Sequence, residues 1–278
     1  MFTHPTFQIT PIPALKDNYI WVIHRGQHAV VIDPGETAPV LEFLDNRSLL
    51  LDAILCTHRH NDHIGGIAKL RELYNVPVYG RRHSGNPHIT HDLREGEQLK
   101  LDTLGIQFDI LEIPGHLDDH IAYLTPEIFA PGILFCGDVL FGAGCGRNNE
   151  GGPAKLHHSL QRLARLPDTT RVYCAHEYTA ANLRFALACE ANNIEVQERI
   201  IATQALRAKN LPTLPSTIAL EKATNPFLRC TQPEIIRTLQ QRGLIGASEA
   251  KISTSGISGA GISELAVFTA LREWKNHF

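Results

Sequence analysis

Apolar and polar positions divide this chain into two textures. Up to about residue 176, short apolar runs rich in Val, Ile, Tyr and Phe alternate with turns. That punctuation is the signature of strands. Runs over 8–13, 19–24, 29–33, 53–57, 77–79, 106–113, 121–124, 133–136 and 171–174 predict strands. Helical spacing predicts helices over 38–46, 67–74 and 155–166, the last with Leu156, Leu160 and Leu163 on one face. Past residue 176 the period becomes helical, over 179–192, 195–209, 233–242 and 262–276, with Pro212, Pro215 and Pro226 in the connections. The stretch 253–261 (STSGISGAG) is small and polar and reads as a mobile surface connection. No internal repeat is present. The expectation is a two-part chain, 1–176 rich in strand and 177–278 helical.

Composition narrows the class. The 278 residues are 43% hydrophobic and 20% charged, ordinary for a globular protein. A net charge of −3 offers no basic excess, so neither nucleic acid nor an anionic membrane is an expected partner. No apolar stretch approaches the ~20 residues of a membrane span. Residues 1–13 lack the charged, apolar, small-residue layout of a secretion signal, so a cytoplasmic location is expected. The six cysteines form no C-x-x-C pair, and Cys56, Cys136 and Cys174 lie in apolar runs as small buried hydrophobes. Reduced thiols fit that compartment.

The chemistry concentrates at Thr57-His58-Arg59-His60-Asn61-Asp62-His63, directly after the apolar run 53–56. Three histidines and an aspartate within six positions are donors for divalent metal ions. A continuous helix cannot aim all four at one point. A strand ending in a tight turn can, with 64–66 (Ile-Gly-Gly) leading into the helix over 67–73. His58 and His60 are two apart and project the same way in extended backbone. Asp62 and His63 point elsewhere and could serve a second ion. The bland alternative is a polar surface turn that happens to be rich in histidine.

The pattern H-x-H-x-D-H resembles the metal signature of the metallo-β-lactamase superfamily. That superfamily next expects a His, an Asp and a His, each after a strand. Here His116 follows 108–113, Asp138 follows 133–136 and His176 follows 171–174. Asp33-Pro34-Gly35, the 144–151 segment, His176-Glu177-Tyr178-Thr179 with Asn182, 14–19, 225–229 and the ending 272–278 are similar to the glyoxalase II branch. The resemblance covers essentially the whole chain. It implies an α/β fold: a four-layer αββα metallo-β-lactamase-like sandwich as catalytic domain over 1–176, followed by a C-terminal helical substrate-binding domain over 177–278. It implies a metal-dependent hydroxyacylglutathione hydrolase, cleaving S-D-lactoylglutathione to D-lactate and glutathione in methylglyoxal detoxification.

Carried over by residue, the resemblance implies two divalent ions, zinc foremost with iron or manganese as alternatives. His58, His60 and His116 would hold the first, Asp62, His63 and His176 the second, and Asp138 would bridge them. Asp62 and Asp138 also count as catalytic, with a hydroxide between the ions as nucleophile. Asp33 resembles the family carboxylate that orients a ligating imidazole, and it equally suits a turn before Pro34-Gly35. For the substrate, a small glutathione thioester, Arg147, Tyr178, Asn182, Arg272 and Lys275 match contacting positions. Without the resemblance, Arg272 and Lys275 read as a solvated, charged helix end. The enzyme is expected to be a monomer. The chain departs from the family at Asn148 and Asn149, where bulky residues are usual, and at Leu117, Asp119 and Val139. Alternatives are a related superfamily thioesterase, or a glutathione-persulfide dioxygenase, which generally lacks the Arg-x-x-Lys tail.

Overall fold

The computed structural model describes residues 7–82, 86–125, 131–246 and 262–278. The expected connection over 253–261 lies outside these. The chain forms two compact units, the first Met1–Ile113, Asp119–Asp138 and Thr170–Glu177, the second Pro114–Asp118, Val139–Thr169 and Tyr178–Phe278.

The first unit opens with β1 (Gln8–Ala14), β2 (Asn18–Arg25) and β3 (His28–Ile32), an antiparallel meander. Helix α1 (Ala38–Arg47) crosses to β4 (Leu50–Leu55), which lies parallel to β3. The one-turn α2 (Asn61–Ile64) and α3 (Ile67–Tyr74) lead to β5 (Val78–Gly80) and β6 (His91–Asp92). These six strands make the first sheet in sequential order. The helical crossovers are what parallel neighbours require. β7 (Gln98–Leu101), β8 (Ile106–Glu112), β9 (Ile121–Leu124) and β10 (Ile133–Gly137) form an antiparallel run in the second sheet.

The inner strands β2, β3 and β4 are buried on both faces, which explains why they read as continuous apolar runs instead of alternating ones. Ile20, Val22, Val31 and Ile54 pack in one cluster with Val40, Phe43 and Leu44 of α1 and Ile67 and Leu70 of α3. On the opposite face Trp21 sends its indole N–H to the Cys174 carbonyl at 2.9 Å and meets Tyr173 edge-on at 4.9 Å. Buried Tyr123 donates its hydroxyl hydrogen to the Cys56 carbonyl at 2.9 Å, stitching the second sheet to the end of β4.

In the second unit β11 (Leu140–Phe141) and β12 (Gly144–Cys145) form a small hairpin before α4 (Gly152–Ala164), whose Leu156, Leu160 and Leu163 are buried as the spacing predicts. The chain then contributes β13 (Arg171–Cys174) to the first unit, parallel to β10. The remainder is α5 (Thr179–Cys189), α6 (Ile194–Arg207), α7 (Ile218–Thr224), α8 (Pro233–Gln241) and α9 (Glu264–Asn276). Asn193, Thr217 and Ser263 cap α6, α7 and α9 by accepting a backbone N–H three residues on. Phe185, Phe227 and Phe268 fill the core of this unit. Buried Arg199 pairs with buried Glu221 at 2.7 Å, and Glu221 accepts from the Ala143 N–H at 2.8 Å, so the ion pair also fixes the β11–β12 turn.

Three differences from the predicted elements bear on the site. β4 ends at Leu55, two residues early, so Cys56 to His60 are free of strand geometry. The tight turn after His60 is a helical turn, α2, with His60 extended at its N-cap. Strands β6 and β7 were not anticipated, because a two-residue and a four-residue strand leave too short a pattern.

Candidate metal centre

Four segments of the first unit end at one place: Asp33 after β3, His58 to His63 after β4, Asp138 after β10 and His176 after β13. Close backbone approach is what brings them together. A Cβ on Gly35 would lie 2.0 Å from the Asp62 carbonyl oxygen, so only glycine lets the β3 loop pass α2. Gly137, at φ +47°, would put a Cβ 2.4 Å from Thr57 Oγ1 and 2.7 Å from His120 Nε2. That glycine turns the chain and delivers Asp138 into the cluster.

The imidazoles of His63 and His176 are each held by the outer nitrogen. Asp33 Oδ2 lies 3.1 Å from His63 Nδ1, and its two oxygens also accept from the Thr57 N–H at 2.7 Å and hydroxyl at 2.6 Å. Asp17 Oδ1 lies 2.9 Å from His176 Nδ1. Since a carboxylate only accepts, both histidines carry a proton on Nδ1 and turn Nε2 inward as the ligand atom. His63 Nε2 is 3.4 Å from Asp62 Oδ2 and 3.4 Å from Asp138 Oδ1. His176 Nε2 is 3.4 and 3.3 Å from the same two oxygens. The Asn18 amide donates to Asp62 Oδ2 at 3.0 Å and fixes that carboxylate. Nearby, His58 Nε2 lies 3.1 Å from His60 Nδ1, and the His58 ring stacks on His120 at 4.6 Å. His120 Nε2 in turn accepts from the Asp138 N–H at 3.1 Å.

The donors fall into groups. Asp62, His63 and His176 offer ligand atoms within 4.8 Å of one another, and so do His58, His60 and Asp138. His116 belongs to the second unit, where its Nδ1 donates to the Arg147 carbonyl at 2.9 Å and leaves Nε2 as the lone-pair atom. Burial pushes the His176 imidazole down, but hydrogen bonds and charge from Asp138 and Asp62 outweigh it and raise the group from 6.5 to about 10. Burial likewise opposes His63, yet Asp138 and Asp33 hold it well above the usual histidine range. Burial works to raise Asp62, and hydrogen bonds from His176 and His63 hold it well below the usual carboxylate range. Asp138 is held down too, against its burial, by the charge of His63 and a hydrogen bond from His176.

The residues expected to meet substrate all lie in the second unit. Arg147 is exposed, Tyr178 is half-buried with its ring edge-on to Phe141 at 5.2 Å, and buried Asn182 donates to the Gly142 carbonyl at 3.1 Å. Arg272 is not the solvated helix end its terminal position suggests. It is buried, donates to the carbonyls of Cys145 at 2.9 Å and Gly146 at 3.3 Å, and lies over the Phe227 ring. Lys275 is half-buried near the rings of Phe185 and Phe278; burial, then Arg272 and Arg184, lower its pKa.

A family model described as the metallo-beta-lactamase superfamily matches residues 15–176. A second, described as hydroxyacylglutathione hydrolase C-terminus, matches residues 177–278. The hydroxyacylglutathione hydrolase of Dechloromonas aromatica is 47% identical over 277 residues, 98% of this chain and 99% of that protein. That of Nitrosomonas eutropha is 44% identical over 271 residues, 97% of this chain and 98% of the relative. The chain belongs to the hydroxyacylglutathione hydrolase family. Among solved structures, ETHE1 from Myxococcus xanthus is similar with a TM-score of 0.60 and 25% identity, covering 87% of this chain and 92% of that one. TTHA1623, solved in a di-iron-bound form, gives 0.57 and 28%, covering 79% and 100%. The fold of this family member is the expected α/β architecture, a metallo-β-lactamase-like αββα sandwich followed by a helical C-terminal region.

The donor set fits the metal chemistry of the family. Buried His63 Nε2 lies 3.4 Å from one oxygen of Asp62 and 3.4 Å from one of Asp138, and those carboxylates only accept. Such a buried arrangement is costly unless a proton or a metal cation lies between nitrogen and oxygen, and a metal cation can take the proton's place. His, Asp and no thiolate is a set for a borderline to hard divalent ion. Sequence reasoning passed over three contributors. Asp17 and Asn18 stand over 150 residues from His176, in the segment 14–19, which carried the resemblance but no assigned role. Arg59 forms an ion pair with Asp119, which accounts for the carboxylate where the family has a small residue.

Proposed function

We propose that this protein hydrolyses S-(2-hydroxyacyl)glutathione, S-D-lactoylglutathione above all, to a 2-hydroxy acid (D-lactate) and glutathione, within methylglyoxal detoxification. The observation that carries this is the convergence of His63 and His176 Nε2 on the carboxylates of Asp62 and Asp138 in a chain of this family. In this proposal His58, His60 and His116 hold one divalent ion, Asp62, His63 and His176 the other, and Asp138 is shared. Zinc is the ion we favour, with iron or manganese as the alternatives. When bound, the two ions supply Lewis-acid polarisation of the thioester carbonyl and a water acidified toward neutrality.

The chain's own residues supply the rest. Asp33 and Asp17 keep the Nε2 lone pairs of His63 and His176 inward, and Asn18 keeps Asp62 from rotating away. No side chain is needed as nucleophile: Cys145 is buried, and burial pushes its thiol up despite Arg272. The leaving thiolate of glutathione, with a pKa near ~8.5, departs without a strong acid. Residues 1–176 form the catalytic domain of the proposal and 177–278 the substrate-binding domain. Arg147, Tyr178, Asn182, Arg272 and Lys275 are assigned to the glutathione peptide, whose carboxylates call for cations. One chain provides every proposed ligand, in keeping with a monomer. Six buried thiols with no disulfide among the described residues support a cytoplasmic setting, and no helix there is long and apolar enough to cross a membrane.

The test is hydrolysis of S-D-lactoylglutathione by metal-loaded protein in water labelled with heavy oxygen. One label in the lactate, and no acyl group trapped on any side chain, is the expected result. Oxygen uptake on glutathione persulfide with no thioester turnover would replace this reading by the dioxygenase one.

A further inference from the structure

The histidines of the proposed metal centre are not held alike. His63 and His176 each rest their outer nitrogen on an aspartate, Asp33 at 3.1 Å and Asp17 at 2.9 Å. His58 and His116 rest theirs on neutral oxygens, the Thr57 hydroxyl at 3.1 Å and the Arg147 carbonyl at 2.9 Å. Asp33 meets His58 through that hydroxyl, with a carboxylate oxygen within 4.8 Å of a His58 ring nitrogen. An aspartate behind an imidazole makes it a stronger donor and fixes its ring, and a carbonyl or hydroxyl does so less.

The charge follows the same division. Asp62 stands with His63 and His176, its carboxylate fixed by Asn18. Between His58 and His60 the chain instead carries Arg59, whose guanidinium pairs with Asp119. We infer that the two metal positions are unequal: the one formed by Asp62, His63 and His176 fills first and holds its ion more tightly, with Asp17 and Asp33 as its positioning residues. This rests on the two-ion reading above and adds the order of filling and the residues that set it.

Asp17 is the residue to change. Its side chain is 30% exposed, so loss of its charge leaves no buried cavity, whereas Asp33 also ties down Thr57. Chelator-treated full-length protein is titrated with Zn2+ against a chromophoric competitor. Two binding events of unequal affinity are expected. Asp17→Asn weakens the tighter event about tenfold or more and leaves the weaker within about twofold, while Asp17→Glu recovers most of the loss. The unfolding temperature of the chelated variant should match that of the parent. Two equal events, a shift of the weaker event, no shift in either, or an equal loss in both with a lowered unfolding temperature would each overturn the inference. Uptake of a single ion overturns it together with the two-ion reading. If the affinities behave as expected but no glutathione thioester is cleaved, the functional proposal falls and the order of filling stands.

Discussion

Asp33 sits at φ +53°, a left-handed conformation that aspartate tolerates better than most side chains, and in that posture its two oxygens serve three donors. The turn-forming and imidazole-orienting roles offered by its sequence context are thus one geometry. Arg59 and Asp119 show the same economy. Each is foreign to its surroundings alone, one beside two histidines and the other beside His120, yet together they form a largely buried ion pair linking the loops after β4 and before β9. Removing either partner leaves the other charge poorly solvated, so Arg59→Ala or Asp119→Ala should each lower stability by about 1–3 kcal/mol. The double variant should cost less than the sum, by about 1 kcal/mol or more. Urea unfolding of the four proteins checks this, and strict additivity would mean the pair contributes nothing as a pair. Asp138 differs because both proposed ions share it. Asp138→Ala should reduce bound metal from two ions toward one or none, measured by elemental analysis, and full metal content in that variant would remove its bridging role.

Among the elements, those with a long apolar pattern were legible. Strands 121–124 and 171–174 and helix 67–74 stand where the periodicity puts them, and Asp138 and His176, two of the proposed ligands, lie just past strand ends. What the pattern could not carry was pairing at a distance. Nothing local in the sequence says that Asp17 meets His176 or that Asp119 meets Arg59, because those contacts follow from sheet order. Nor does helical spacing tell a solvated helix end from a buried one. In α9 Arg272 and Lys275 share a face, but Arg272 has spent donors on the β12 carbonyl of Cys145, on Gly146 and on Asn276. Arg272→Ala should therefore lower the unfolding temperature, through about 1.5–3 kcal/mol of charged hydrogen bonds, as well as raise the Michaelis constant. Lys275→Ala should leave unfolding nearly unchanged and raise the Michaelis constant for glutathione thioesters about tenfold. Thioesters without glutathione should be indifferent to the lysine. An equal loss on both substrate types would assign Lys275 to folding instead.

For the molecule as a whole, the centre links stability to pH in opposite senses with and without metal. In chelated protein the raised pKa of His176 means that folding holds a proton the unfolded chain lets go. Its contribution is full below 6.5 and is lost as pH rises through about 10. Asp62 and Asp138, held below the ordinary 3.8, contribute fully above that value and lose it as pH falls. The metal-free centre therefore supports the fold best between about 4 and 6.5 and progressively less toward pH 10. A bound cation takes the place of those protons, so metal binding releases them and tightens as pH rises. Each proton displaced adds about 1.4 kcal/mol of metal-linked stability per pH unit until the imidazoles deprotonate by themselves. The quantity to measure is the gap in unfolding temperature between zinc-loaded and chelated protein, from pH 6 to pH 9 at fixed free zinc. Taking the gap cancels every titrating group that does not respond to the metal. It should widen steadily over that range. A constant gap would mean that the ion binds without displacing protons, and the convergence of His63 and His176 on Asp62 and Asp138 would then need another explanation.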